Sequence, residues 1–213
     1  MLKIGLTGGI ASGKTAVGEM FVKLGAHLLQ ADQVAHWLMH PGRAVYAEVV
    51  RRFGREILNP DESINRSRLA EAAFGNAARG QPARVKELNE IVHPAVVRHQ
   101  NEWMEEIGER DGHAIVIVEA ALILEAGVAE RFDYLTVVTC RPEQRVERFA
   151  RRQNIPVDSA RAEVRRRMAA QIPDEEKIKA ADFVIDNSGP LEATEAQVRQ
   201  VFARLRDEIG RKG

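Results

Sequence analysis

The sequence has little cysteine, few aromatic residues and no excess of charge of either sign. Cys140 is the single cysteine in 213 residues, which excludes an intrachain disulfide and a zinc site built from several thiolates. Aromatic residues make up 5% of the chain, which argues against a stacking platform for single-stranded nucleic acid. Acidic and basic side chains balance at 31 each, so general binding to nucleic acid or to an anionic membrane is not expected.

Long apolar runs are also missing. No run approaches the roughly 20 residues that a membrane-spanning helix needs, and residues 1–5 enter a strand-like run without the layout of a secretory signal. Hydrophobic residues make up 45% of the chain, which is enough to bury a core. We therefore expect a cytoplasmic protein, a monomer or small homo-oligomer, with one large domain or a core that carries an inserted lobe.

Apolar runs alternate with helical patterns along the chain. Strands are predicted at 2–7, 26–29, 114–119, 133–139 and 183–185. Helical patterns cover 14–24, most of 33–110 with breaks at Gly42, 59–63 and 75–82, a basic region at 142–169, and 191–210. Because several strands are continuous apolar runs, the pattern predicts a three-layer α/β fold, in which helices cover both faces of a parallel sheet.

The segment after the first predicted strand carries a phosphate-binding motif. Gly8, Gly13, Lys14 and Thr15 fill every fixed position of the pattern G-x-x-x-x-G-K-[ST]. Glycines allow successive backbone N–H groups to face phosphate oxygens, and the following helix adds the positive end of its dipole. Lys14 can reach the β- and γ-phosphates, and the Thr15 hydroxyl can bind Mg²⁺, so the motif predicts a P-loop kinase. The nucleotide site is predicted to include Gly8, Gly9, Ile10, Ala11, Ser12, Gly13, Lys14, Thr15 and Ala16.

Three acidic residues are further candidates, each with an alternative that stays open. Asp32 follows the second predicted strand, where it can accept a proton from an attacking hydroxyl or cap a helix instead. Glu119 ends the third strand and can hold Mg²⁺ through its water shell, or it is an exposed acid at a strand end. Glu125 closes the segment 121–125, where a solvated helix acid is the simpler interpretation.

Basic residues concentrate in one part of the chain. Nine arginines lie between residues 141 and 167. Guanidinium groups match phosphate oxygens, so a few of them are expected in a mobile lid over the phosphate loop, whereas most are ordinary solvated residues. His93 precedes Pro94, which disfavours helix at His93 and predicts a kink or a boundary there. The imidazole is either a substrate contact or a structural group.

Motifs along nearly the full chain resemble those of the dephospho-coenzyme A kinase family. They are IGLTGGIASGKT at 4–15, Gln30-Ala31-Asp32 for the family's Asp-Ala-Asp, Val92-His93-Pro94, ALILE at 121–125 for Pro-Leu-Leu-Phe-Glu, an Arg-rich stretch from Arg148 to Gln171, and ADFVIDNSG at 181–189. Many families share the phosphate loop, but the ordered set of the other motifs is much more specific. Three residues depart from the pattern: Gln30 and Ala121 replace an acid and a proline, and Glu119 stands where many members carry Asp.

The resemblance implies a reaction and its participants. It implies ATP- and Mg²⁺-dependent phosphorylation of the ribose 3′-hydroxyl of dephospho-CoA, the last step of coenzyme A synthesis, with Asp32 as base and with Lys14 and Arg148 as catalytic cations. It assigns further ATP contacts to Arg148, Arg152, Asn187 and Gly189, acceptor contacts to Asp32, His93, Leu122, Glu125 and Arg167, and Mg²⁺ binding to Thr15 and Glu119. The expected parts are a core of 1–32, 112–140 and 181–213, a helical substrate lobe at about 33–111, and a lid at about 141–180.

Two other functions remain open at this point. The first is another small-metabolite or nucleotide kinase with the same fold. The second is a nucleotide-dependent switch, although the Asn-Lys-x-Asp motif of guanine-binding switches is absent from the sequence.

Overall fold

Five strands form one parallel sheet in the computed structural model, which describes residues 1–75 and 82–212. They are Leu2–Thr7 (β1), His27–Gln30 (β2), Ile115–Glu119 (β3), Tyr134–Thr139 (β4) and Phe183–Asp186 (β5). Their order is β2-β3-β1-β4-β5, and every neighbouring pair is parallel. The five predicted strands are therefore confirmed, each within one residue at either end.

Helices alternate with these strands along the chain. Those in the described residues are Lys14–Lys23 (α1), Ala31–Leu38 (α2), Ala44–Phe53 (α3), Arg66–Phe74 (α4), Val85–Arg110 (α5), Pro142–Gln153 (α6), Val157–Ala169 (α7), Asp174–Lys179 (α8) and Leu191–Lys212 (α9). None of the helices within 1–75 and 82–212 is both long and apolar enough to cross a bilayer.

The main core lies between the sheet and the two helices α1 and α9. Ile4 and Leu6 of β1 pack with Phe21 of α1 and Leu205 of α9, and all four are fully buried. On the opposite face of β1, the side chain of Phe132 packs so closely on Gly5 that a Cβ there would lie 2.9 Å from it. Side chains therefore bury both faces of the central strand, as continuous apolar strands predict.

The chain divides into two compact units. The first consists of Met1–Gln30 together with Met104–Gly213 and contains the whole sheet. The second, Ala31–Trp103, holds α2, α3, α4 and most of α5. Its buried side chains include Val49, Phe53 and Val96, which are 8% exposed or less.

Of the two alternatives predicted at His93 and Pro94, the helix boundary is wrong. The helix α5 continues through His93 and Pro94 without ending there. Proline removes one helical N–H, but Val92 and Val96 on either side are buried, and their packing favours a continuous helix. The helical region predicted at 142–169 is confirmed as the two helices α6 and α7. They are separate because Asn154 adopts a left-handed φ of 52° and Pro156 disfavours helix at the residue before it. In the predicted break at 75–82, residues 76–81 lie outside the described residues.

Candidate active site

The loop between β1 and α1 has backbone conformations that demand small residues. Gly8 and Gly13 have φ angles of +149° and +97°. A Cβ on Gly8 would clash with the carbonyl oxygen of Val138, and one on Gly13 would clash with the side-chain amide of Asn187. Because α1 begins at Lys14, its first backbone N–H groups have no acceptor within the helix and lie at the loop. This arrangement fits a phosphate group.

Lys14 brings a positive charge to the same loop. Its ammonium group donates hydrogen bonds to the carbonyl oxygens of Gly8, at 3.0 Å, and Gly9, at 3.2 Å. The side chain therefore folds back over the loop rather than extending into solvent. A phosphate in the loop would lie beside this ammonium group.

Two strand ends and the start of α1 meet at Glu119. The Thr15 hydroxyl donates to Glu119 Oε1 at 2.9 Å, and the Gln30 amide donates to Glu119 Oε2 at 2.9 Å. Glu119 is 9% exposed, so the interpretation as an exposed strand-end acid is wrong. Because the hydroxyl proton of Thr15 points to Glu119, the lone pairs of its oxygen are free to face a cation.

These oxygens fit a magnesium ion. Mg²⁺ prefers hard oxygen ligands and is usually bound by one or two side chains together with substrate phosphates and water. Thr15 and Glu119 supply a hydroxyl and a carboxylate beside the phosphate loop. A cluster of three or more metal-binding side chains is absent from the part of the chain that the structure describes, but this type of site does not need one.

Helix α6 contacts the far side of the loop. Ile10 is buried among Val146, Phe149 and other apolar residues of α6 and α7, so only its backbone is available to a nucleotide. Arg148 donates to the carbonyl oxygens of Ser12, at 3.2 Å, and Asn187, at 2.9 Å. Three arginines of this region, Arg148, Arg152 and Arg167, are predicted to contact ligands, and the structure brings Arg148 to the phosphate loop.

Asn187 links the end of β5 to the same loop. Its side-chain amide donates to the carbonyl oxygen of Ser12 at 2.9 Å, and its Oδ1 accepts from the Thr194 hydroxyl at 3.1 Å. The side chain is buried, whereas Gly189, two residues later, is exposed. Asn187 therefore holds the loop in shape, and the exposed backbone beyond it is the part available to a ligand.

The other two arginines predicted to contact ligands, Arg152 and Arg167, make different contacts. Arg152 is exposed, with its guanidinium 5.6 Å from the centre of the Phe149 ring. Arg167 donates to Glu163 at 2.6 Å and is half exposed. Hydrogen bonds from Arg166 and then Arg167 lower the pKa of Glu163 to about 2. Arg152 and Arg167 therefore contact residues of α6 and α7, whereas Arg148 contacts the phosphate loop.

Leu122 and Glu125 lie in the turn after β3. Leu122 is 46% exposed and can contact a ligand. Glu125 pairs with the ammonium group of Lys177 at 2.7 Å and accepts the backbone N–H of Ile172 at 3.1 Å. Its side chain is 15% exposed and lies outside any helix, so the interpretation as a solvated helix acid is wrong.

Two predicted residues belong to the second unit. Asp32 is exposed in the first turn of α2, where a carboxylate interacts favourably with the helix dipole. His93 is exposed on α5. Both side chains are accessible to solvent, which a role in binding or proton transfer requires.

Sequence reasoning missed the buried partners of the site. Arg145 was one of nine arginines, yet its side chain is 1% exposed and pairs with Asp174. A usable signal was its position on α6, next to Val146 and one turn before Phe149, which form the apolar face. Gln30 departs from the family's Asp-Ala-Asp motif, but the sequence does not show that it contacts Glu119.

Comparisons with known proteins agree with this architecture. The family model described as dephospho-CoA kinase matches residues 2–193. A dephospho-CoA kinase from Corynebacterium efficiens is 36% identical over 209 residues, which cover 98% of this chain and all of that protein. One from Geobacter metallireducens is 40% identical over 209 residues, 98% of each protein.

A solved structure is also similar over nearly the whole chain. A crystal structure of a Thermus thermophilus protein has a TM-score of 0.75 and 32% identity, covering 96% of this chain and 97% of that one. The sheet, the phosphate loop and the Thr15–Glu119 contact are those of a P-loop kinase. Since the family model and the relatives span almost all of the sequence, the chain belongs to the dephospho-CoA kinase family.

Proposed function

We propose that this enzyme transfers the γ-phosphoryl group of ATP to the ribose 3′-hydroxyl of dephospho-CoA and so forms coenzyme A and ADP, the last step of coenzyme A synthesis. The observation that carries the proposal is the contact between Thr15 and Glu119 beside the phosphate loop, in a chain whose family match spans residues 2–193. A phosphate cradle, a lysine and a part-buried hydroxyl–carboxylate contact are the parts that phosphoryl transfer from a nucleotide needs.

The phosphate loop and its neighbours bind the donor in this proposal. The backbone N–H groups of residues 8–16 receive the phosphates, and Lys14 and Arg148 add two positive charges. Thr15 would hold Mg²⁺ through its hydroxyl, and Glu119 would hold the ion through water. The metal draws charge from the β- and γ-phosphate oxygens when it is bound. Further ATP contacts are proposed for Arg152, Asn187 and Gly189.

Proton transfer is assigned to Asp32. As the 3′-hydroxyl oxygen attacks the γ-phosphorus, the Asp32 carboxylate accepts the hydroxyl proton, and the bond from the γ-phosphorus to the bridging oxygen breaks to release ADP. Lys14 and Arg148 stabilise the charge that spreads over the phosphoryl oxygens and the leaving group. Little covalent chemistry is asked of the protein, so most of the acceleration comes from positioning and electrostatics.

The acceptor is proposed to bind the helical segment at about 33–111 and residues near the turn after β3. The proposed contacts are Asp32, His93, Leu122, Glu125 and Arg167. The segment at about 141–180 is proposed to close over both ligands, which excludes water and limits wasteful hydrolysis of ATP. Glu125 is also held by Lys177, and it therefore helps to fix the turn that carries Leu122.

The test is an assay with ATP, Mg²⁺ and dephospho-CoA, with the product identified by mass. We expect one added phosphate at the 3′ position and one ADP for each product molecule. The variant Lys14→Ala should lose most of the turnover and bind ATP more weakly. No product from dephospho-CoA, with turnover of a nucleoside monophosphate, would assign the chain to another kinase. Slow ATP hydrolysis with no acceptor, and ATP-dependent binding of a protein, would favour a switch.

A further inference from the structure

Gln30 contacts Glu119, one of the two residues of the proposed metal site. It is the last residue of β2 and is directly opposite Glu119, the last residue of β3, in the parallel register. Its amide donates to Glu119 Oε2 at 2.9 Å, while the Thr15 hydroxyl donates to Oε1 of the same carboxylate at 2.9 Å. Each oxygen of Glu119 therefore has its own donor.

The two hydrogen bonds fix the orientation of a buried carboxylate. Glu119 is 9% exposed and has three rotatable side-chain bonds, so a single contact with Thr15 would leave its carboxylate free to swing about that contact. The second donor, on the opposite oxygen, removes this freedom. A hydrogen bond to an ionised group is also stronger than one between neutral groups.

The chemical nature of Gln30 matters as much as its reach. An amide is neutral and supplies N–H donors, whereas a carboxylate of the same length would set a second negative charge against Glu119 Oε2. Such a charge would push the Glu119 carboxylate away from the position in which it accepts the proton of Thr15. A methionine would fill the same volume without a donor.

We propose that Gln30 is a positioning residue, which holds Glu119 so that the Thr15 oxygen is presented to the Mg²⁺ of the bound nucleotide. The proposal rests on the proposed function, since it takes Thr15 as the metal ligand. Gln30 acts through Glu119 and is assigned no contact with phosphate. It therefore sets the affinity for the metal–nucleotide complex and leaves the affinity for the nucleotide alone unchanged.

The experiment compares nucleotide binding with and without magnesium. Binding of the non-hydrolysable ATP analogue AMPPNP is measured by calorimetry, first in EDTA and then over a range of Mg²⁺ concentrations. The variants are Gln30→Met and Gln30→Glu, and the matched control is Gln200→Met on an exposed position of α9. Thermal unfolding of each variant is recorded in parallel.

We expect Gln30→Met to bind AMPPNP in EDTA within twofold of the wild type, and to need about tenfold to hundredfold more Mg²⁺ for the metal-dependent gain. The loss for Gln30→Glu should be at least as large, and Gln200→Met should match the wild type in both conditions. An unchanged Mg²⁺ requirement in both Gln30 variants would overturn the proposal. An equal loss of binding with and without Mg²⁺ would also overturn it, because that result indicates a general structural role.

The outcome is separate from that of the proposed function. AMPPNP binding does not involve the acceptor, so the Mg²⁺ comparison holds for any kinase that uses this loop. Failure of the wild type to phosphorylate dephospho-CoA would remove the proposed acceptor. A Mg²⁺ requirement in the Gln30 variants equal to that of an active wild-type enzyme would remove only the role of Gln30.

Discussion

The guanidinium group of Arg145 pairs with the carboxylate of Asp174 directly against Gly9 of the phosphate loop. The Arg145 side chain is 1% exposed, and its Nε also donates to the carbonyl oxygen of Cys140 at 3.4 Å. A Cβ on Gly9 would clash with Nη1 of Arg145 and lie 3.2 Å from Asp174 Oδ1. One buried arginine thus joins the end of β4, the start of α8 and the loop.

The substitution Asp174→Asn is expected to destabilise the protein by roughly 3 kcal/mol. Removing one partner leaves the charge of Arg145 buried without compensation, and such losses are about 3–5 kcal/mol in other proteins. The lower end applies because the Asp174 side chain is 28% exposed and water can reach the gap. Urea unfolding of the purified variant measures the difference directly.

Glu143→Gln is the matched control for this prediction. Glu143 forms an ion pair with Arg161 at 2.8 Å, but both side chains are substantially exposed. Exposed pairs contribute at most about 1 kcal/mol, so this variant should unfold almost like the wild type. Equal effects of the two substitutions would show that burial of Arg145 does not govern the strength of its pair.

Alanine substitutions at two glycines, one at each end of α1, distinguish the cost of backbone strain from the cost of a steric clash. Gly13 and Gly25 have nearly the same φ, +97° and +103°, but a Cβ on Gly25 would meet no atom within 4 Å. Gly25→Ala should therefore cost only the left-handed backbone term, about 1–2 kcal/mol, with nucleotide affinity unchanged. Gly13→Ala carries the same term and also displaces the Asn187 amide from the Ser12 carbonyl.

For Gly13→Ala we expect a further loss of about 1–3 kcal/mol and weaker binding of ATP, since a buried hydrogen bond is left unmade. Urea unfolding and an ATP titration of both variants provide the comparison. If Gly13→Ala behaved like Gly25→Ala in both measurements, the contact between Asn187 and the phosphate loop would be unimportant.

Asp32→Asn tests the proposed base. The substitution keeps the size of the side chain and removes its ability to accept a proton, so kcat should fall by about 10²–10⁴-fold. ATP affinity should change less than threefold, because the proposed ATP contacts lie elsewhere in the chain. Steady-state kinetics and an ATP titration check the two parts, and near wild-type turnover would remove Asp32 as the base.

The elements of the sheet and the phosphate loop could be predicted because their signals are local. The run from Leu2 to Thr7 is apolar, and the glycines at 8 and 13 follow it at the spacing that the loop requires. A contact such as that between Gln30 and Glu119 depends instead on strand order. The two residues are 89 positions apart, and they meet only because β2 lies beside β3.

The roles of the arginines show the same limit. All nine between residues 141 and 167 carry the same charge, and the sequence does not say which ones are buried. Burial is decided by the face of α6 that packs on Ile10, and this face carries Arg145 and Arg148 one turn apart. Pro94 failed as a boundary for a related reason, since the packing of Val92 and Val96 outweighs one lost hydrogen bond.

Cys140 should be almost unreactive in the native protein. Burial raises the pKa of its thiol above the ordinary value, although Arg145 and Arg148 act in the opposite direction. Because the thiolate is the reactive form, a raised pKa leaves less of it at pH 8. The residue is also 7% exposed, and its sulfur lies 3.8 Å from the carbonyl oxygen of Ala11 in the phosphate loop.

The reaction of this single cysteine with a disulfide reagent at pH 8 should therefore be at least about 100-fold slower in the native state than in urea, because it must wait for an opening of the structure. ATP should slow it further, since a ligand that binds the closed loop makes each opening less frequent. A native rate close to the unfolded rate would show that the thiol is accessible. If ATP left the reaction rate unchanged, the opening that exposes Cys140 would be independent of the phosphate loop, despite the contact with Ala11.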